Sequence, residues 1–161
     1  MTAPLPSDGH RFRDPRTHLA TLASGDVIVI CPRCAGPAIV RPHSDGSRYS
    51  MFWPRRLTCT GCAYYDSWTS SSPWYWEGPI DPFFQQPLWL RANCCGGKTL
   101  WAYHGEHLDL IEDYVRARQR ERGPERSFTS LLEKLPAWIK AAGNRDEILR
   151  TCRQLRAKLP E

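Results

Sequence analysis

Residues 27–68 read VIVICPRCAGPAIVRPHSDGSRYSMFWPRRLTCTGCAYYDSW. Two Cys-x-x-Cys pairs, Cys31/Cys34 and Cys59/Cys62, stand in this stretch with 24 residues between them. Each pair bends tightly enough to aim two sulfurs at one ion. Two such pairs make the four-thiolate tetrahedron that Zn²⁺ takes in structural sites. A closed shell leaves no position for a substrate or a water. One zinc ion per chain is therefore expected, holding a fold together rather than catalysing. The rival use of such pairs, redox exchange, needs a thioredoxin-like βαβ frame; the flanks here are strand-like.

Working outward, Val27-Ile28-Val29-Ile30 is a β-branched run entering the first pair, and residues 38–41 form a strand leaving it. His43-Ser44-Asp45-Gly46-Ser47 is turn chemistry, with Asp-Gly its strongest signal. Residues 49–57 are read as the returning strand, with Pro54 marking an edge or bulge. A third strand follows the second pair over 64–68. Pair, hairpin, pair, strand is the order of the zinc-ribbon superfamily, which residues 27–68 resemble through Cys31, Cys34, Cys59, Cys62 and the hairpin between them. That resemblance implies a zinc-held β-ribbon. Ribbons of this kind serve transcription factors, polymerase subunits, primases, topoisomerases and ribosomal proteins, so it does not choose a role.

The whole chain is expected to be α+β: an N-terminal four-cysteine zinc ribbon, an added antiparallel β-hairpin, and a C-terminal bundle of about three short helices. Residues 1–25 are read as a flexible arm with a short helix near 17–22, residues 26–68 as the ribbon, 69–104 as an aromatic-rich connector and hairpin, and 105–161 as helical. In the connector, residues 88–93 and 99–103 are strands around Cys94-Cys95-Gly96-Gly97-Lys98. Leu108, Ile111, Tyr114 and Val115 form an apolar helical stripe on a helix that Gly123-Pro124 is expected to end. Ser127 or Thr129 caps a second helix through Leu131, Leu132 and Leu135, and Pro136 either kinks it or begins a fresh turn. Asn144-Arg145-Asp146-Glu147 is a capping box for the last helix, whose apolar side carries Ile148, Leu149, Cys152, Leu155 and Leu159.

Seven Trp, six Tyr and five Phe are a heavy aromatic load for 161 residues, and the net charge is +5. The basic excess lies in the ribbon, which sets Arg33, Arg41, Arg48, Arg55 and Arg56 against one acid, Asp45, between residues 31 and 65. Tyr49, Trp53 and Tyr64 interleave with them. Arginine grips phosphate bidentately and exposed rings stack on unpaired bases, so these eight residues are a candidate nucleic-acid surface. The competing use is local: rings covering the zinc site, with arginines stacked over them. Trp74, Trp76, Phe83 and Phe84 are a candidate protein-binding patch or simply core. Residues 105–161 carry twelve basic and ten acidic side chains, a balance suited to packing or to a protein partner.

His104-Gly105-Glu106-His107 holds half of a zinc-deaminase signature, but the cysteine pairs precede it instead of following. His104 and His107 with Cys94 and Cys95 are a second candidate metal site, opposed by the rule that adjacent strand residues point to opposite faces. Otherwise Glu106 favours a helix macrodipole and His107 is a surface residue. No Walker loop, Gly-x-Gly-x-x-Gly or nucleophile elbow is found, so no catalytic residue and no small-molecule substrate is assigned. With no apolar h-region at the N-terminus, no apolar run near 20 residues and an odd cysteine count, a reducing cytoplasm and no membrane association are expected. The expectation is a non-enzymatic accessory protein that contacts nucleic acid through the ribbon and a protein partner through the helices. The alternative is a zinc-stabilised adaptor, inhibitor or immunity-type module with no nucleic-acid contact.

Overall fold

A computed structural model of the 161-residue chain describes residues 19–76, 78–117 and 135–160, together with the backbone of 11–13 and 119–121. Strand β1 (Arg11–Arg13) lies parallel to a late strand, Gln119–Glu121. Helix α1 (Leu19–Ala23) follows, overlapping the end of the helix expected near 17–22. Strands β2 (Val27–Ile30), β3 (Pro37–Pro42), β4 (Arg55–Thr58) and β5 (Tyr65–Trp68) then form one antiparallel sheet in that order. Strands β6 (Leu90–Cys94) and β7 (Lys98–Ala102) form a separate hairpin. Helices α2 (Gly105–Arg116), α3 (Ala137–Lys140) and α4 (Arg145–Ala157) follow, with β8 (Gln119–Glu121) between α2 and α3. The architecture is α+β.

Period-2 patterning places the two faces of the large sheet. Val27, Val29, Ala38, Val40, Leu57 and Trp68 point to one side and are buried with Leu22, Phe83, Leu88 and Tyr103. Ile28 points the other way and is buried among Leu90, Leu100, Leu108, Ile111, Ile148, Cys152 and Leu155, the core that joins the hairpin to α2 and α4. The far side of β2 is covered too. Ile28 N–H donates to Tyr103 O at 2.9 Å, Trp89 N–H to Ile28 O at 3.0 Å and Ile30 N–H to Pro87 O at 2.8 Å. This leaves β5 as an edge, with Tyr65, Asp66 and Ser67 exposed.

Several sequence expectations change. Residues 49–54 are not strand: Ser50–Phe52 is a single 3₁₀ turn, and only Arg55–Thr58 pairs. The Asp45-Gly46 turn is present as a local motif, with Asp45 Oδ1 accepting from Ser47 N–H at 2.8 Å. Helix α2 buries its predicted stripe but ends at Arg116, well before Gly123, because Ala117 is extended. The helix expected from Ser127 to Leu135 lies largely outside the described residues. Pro136 begins a fresh turn, preceding α3. Asn144 stands at the N-cap of α4 as expected, but its side chain makes no capping bond to the helix; its Nδ2 donates to Trp138 O at 2.9 Å instead. The helices do not form a free bundle. They pack on the hairpin, and Glu112 of α2 binds both Arg116 and Arg156, tying α2 to α4.

Candidate metal centre

The two cysteine loops repeat one backbone geometry. In the first, Ala35 N–H donates to Cys31 O at 2.9 Å and Cys31 N–H to Gly36 O at 2.7 Å. In the second, Ala63 N–H donates to Cys59 O at 3.0 Å and Cys59 N–H to Tyr64 O at 3.0 Å. Ala35 and Ala63, each just past the second cysteine of its pair, both take a left-handed φ of 62°. That conformation costs a non-glycine residue about 1–2 kcal/mol. Accepting it twice points to an arrangement that the surrounding loops over-determine. The first loop also turns amides onto sulfur: Arg33 N–H reaches Cys31 Sγ and Gly36 N–H reaches Cys34 Sγ, each at 3.4 Å. A Cβ at Gly36 would stand in van der Waals contact with Cys34 Sγ, at 3.4 Å.

The strand register then brings the loops together, since β2–β3 and β4–β5 leave them at the same end of the sheet. All four sulfurs lie within 4.8 Å of one another. Cys31 Sγ is 3.6 Å from Cys62 Sγ, and Cys34 Sγ is 3.6 Å from Cys59 Sγ. A tetrahedron with metal–sulfur bonds of about 2.3 Å has edges of about 3.8 Å, so the spacing is compatible with a zinc-sized thiophilic ion. Cys31 and Cys59 are buried, Cys62 is half-buried and Cys34 is exposed. Burial alone would raise the Cys31 thiol. Hydrogen bonds from the backbone at Cys34 and Arg33, with those from Cys62 and Cys59, outweigh it and bring Cys31 down to about 6. For Cys62 a backbone bond at Tyr64 favours the anion, but burial and the other three sulfurs push it up to about 12. An ion that binds the four sulfurs displaces their protons.

The predicted nucleic-acid residues separate into three groups. Arg33, Arg48 and Arg56 are exposed, as is Tyr49 at 62 %. Arg33 stacks over Tyr64 at 5.4 Å and Arg48 over Tyr49 at 5.8 Å. Arg41 is exposed but paired with Asp26, Nη2 to Oδ2 at 2.9 Å. Arg55 and Trp53 do not serve the surface. Arg55 is wholly buried on the inner face, its guanidinium 4.4 Å from the Phe83 ring centre and its Nη2 donating to Ser50 O at 3.1 Å. Burial lowers it to about 10. Trp53 is half-buried and donates Nε1–H to Ser47 O at 2.9 Å, closing the 43–54 loop.

Of the candidate partner patch, Phe83 is core and Phe84 half-buried, while Trp74 and Trp76 are 36 % and 39 % exposed. Trp74 stacks on Trp68 at 6.1 Å and meets Phe52 at 5.5 Å. The histidines do not join Cys94 and Cys95. His104 is the N-cap of α2, its Nδ1 accepting from His107 N–H at 3.1 Å. His107 is buried, not superficial; its Nδ1 accepts from Tyr103 N–H at 3.0 Å. Burial, then the nearby His104, lowers it to about 3, so it is neutral in the fold.

Two features carry no strong sequence signal. Tyr65 is 57 % exposed on the outer face of β5, whereas the neighbouring Tyr64 lies under Arg33. Asp81 is buried and organises the 79–87 loop, Oδ1 accepting from Phe83 and Phe84 N–H and Oδ2 from Gln86 N–H. Only the Asp81-Pro82 turn signal touches it. Among the described residues no helix is long and apolar enough to cross a membrane. Comparison with protein-family models, with curated proteins and with solved structures yields no match to this chain.

Proposed function

We propose that this chain is a non-enzymatic accessory protein, built as a zinc ribbon over residues 27–68, whose structural zinc fixes a sheet that binds single-stranded nucleic acid. The observation that carries this reading is the outer face of β3–β5. Arg41 and Arg56 stand directly opposite each other there, and Tyr65 lies diagonal to Arg56 through Ser67, its register partner. Like charges directly opposite on neighbouring strands are destabilising. Asp26 relieves Arg41; a phosphate would serve Arg56. Diagonal neighbours on a sheet stand about 7–8 Å apart, which lets one nucleotide place its phosphate on Arg56 and its base on Tyr65. The same face is covered by the helical core at Ile28 and open from β3 onward, so the platform is bounded on one side. Arg33 and Arg48 flank it, each already stacked on a tyrosine.

Titration of a labelled single-stranded oligonucleotide at rising salt tests this. Affinity should fall steeply with salt. Arg56→Ala should lower the logarithmic slope by about one, and Tyr65→Ala should cost about 1–3 kcal/mol at any salt. Absence of binding at low salt, or two silent variants, would refute it.

A second reading has its own observation. Trp74, Tyr75 and Trp76 are consecutive and exposed, beside an exposed Phe52. The apolar stripes of α2 and α4 are already buried against the hairpin. Under the protein-partner reading, the docking surface is this aromatic loop and not the helices. Retention of a partner by wild type and its loss in Trp76→Ala, with nuclease present throughout, would favour that reading.

A further inference from the structure

Cys94 ends β6, and Cys95 opens the three-residue turn into β7. Strand alternation alone would send their sulfurs to opposite faces. The turn cancels it. Cys95 takes a left-handed φ of 55°, followed by Gly96 at 73° and Gly97 at 92°. Cys95 Sγ thereby swings back to 2.8 Å from Cys94 Sγ. Nothing in the hairpin requires a cysteine at that position: left-handed backbone costs it about 1–2 kcal/mol, and glycine adopts it freely. A third donor arrives from another element. Glu147 sits in the first turn of α4, and its Oε1 accepts from Cys95 N–H at 2.8 Å. A capping box over Asn144–Glu147 would turn this glutamate back onto its own helix; it reaches across to the hairpin instead. Two sulfurs and a carboxylate thus lie within 4.8 Å of one another.

We propose that Cys94, Cys95 and Glu147 form a second metal site, distinct from the four-cysteine centre, for a thiophilic divalent ion of the zinc or cadmium class. Two thiolates and one carboxylate are a donor set that such ions accept, with the fourth position left to water. Bonds of about 2.3 Å to sulfur and 2.1 Å to oxygen need donor spacings of about 3.6–3.8 Å, so loading parts the two sulfurs by roughly 1 Å. The glycine pair that follows gives the turn room for that shift. Cys94 is buried against the core, whereas Cys95 is half-buried and Glu147 exposed. Solvent therefore reaches the ion, which exchanges readily, in contrast to one closed inside four sulfurs. Bound there, it clamps the hairpin turn to the start of α4.

The test uses the full chain, reduced with a phosphine and loaded with cadmium. Two equivalents per chain are expected, one of them removed by a mild chelator. Glu147→Gln keeps an oxygen for Cys95 N–H while deleting the charge, and should weaken the labile equivalent at least tenfold. Cys94→Ser/Cys95→Ser should abolish it and reduce thiolate-to-cadmium ultraviolet absorption to roughly two thirds, as six thiolates become four. Wild type binding only the equivalent that resists the mild chelator overturns the proposal. So does a second equivalent that survives both variants, or a phosphine-resistant Cys94–Cys95 disulfide with no second ion. Loss of the tight equivalent alone would fault the four-cysteine reading and leave this one standing.

Discussion

Acidification should destabilise this fold through His107, and replacing that histidine should remove the effect. Its ring is packed against Tyr103, with centres 5.3 Å apart, and edge-on to Trp101 at 5.7 Å; its Nδ1 accepts the Tyr103 amide. A proton on Nδ1 would turn that acceptor into a second donor in a buried site. Burial and the neighbouring His104 hold the folded ring at about 3, against an ordinary value of 6.5. The unfolded chain therefore binds the extra proton throughout that window. Stability is at its full value above about 6.5 and falls as pH drops toward 3. Linkage gives a loss of about 2 kcal/mol between pH 7 and pH 5, and a ceiling of about 5 kcal/mol at still lower pH. Either is a large part of a domain's total stability. Urea midpoints followed by tryptophan fluorescence at both pH values supply the measurement. His107→Asn places an oxygen near the Nδ1 position without a titrating group. It should be less stable than wild type at pH 7, yet lose about 2 kcal/mol less on going to pH 5. Proton competition at the cysteines acts on both proteins and cancels in the difference. Parallel losses in the two proteins would refute the neutral, buried assignment.

Two further substitutions probe the packing. Ile148→Ala hollows the core between α4 and the hairpin, where Ile148 is wholly buried, and should cost about 2–5 kcal/mol in urea unfolding; a loss under 1 kcal/mol would mean that α4 is not seated there. Asp81→Asn turns either an oxygen or an NH₂ group toward Gln86 N–H, while the other end must satisfy the Phe83 and Phe84 amides. One buried donor is left facing another, costing about 1–3 kcal/mol by the same assay, and an unaffected midpoint would show the loop to be independent of this carboxylate.

What could be read in the sequence was local. Val27–Ile30 announces a strand, and each Cys-x-x-Cys its own tight loop. The 108, 111, 114 and 115 stripe of α2 is buried as its spacing requires. That the loops meet follows from chain order, because two hairpins in succession return the cysteines to one end of the sheet. Most of what could not be read depends on partners distant in sequence. Arg55 has the composition of a phosphate ligand, yet alternation places it on the inner face over Phe83, a residue far along the chain. His107 looks superficial until the hairpin folds over it. Glu147 looks like a capping residue until Cys95, 52 positions away, offers its amide. Residues 49–54 are rich in strand-forming aromatics, but Trp53 Nε1–H finds Ser47 O within the loop and holds the segment in a turn. In each case a particular hydrogen bond or stacking contact overrides the local propensity.

X-ray absorption at the zinc edge, on reduced protein purified in the presence of zinc and stripped of loosely held ion by a mild chelator, bears most directly on the four-cysteine centre. Four sulfur neighbours at about 2.3 Å and no lighter atom in the first shell are the predicted result. A shell containing nitrogen or oxygen, or a well-folded chain that retains no ion, would contradict it.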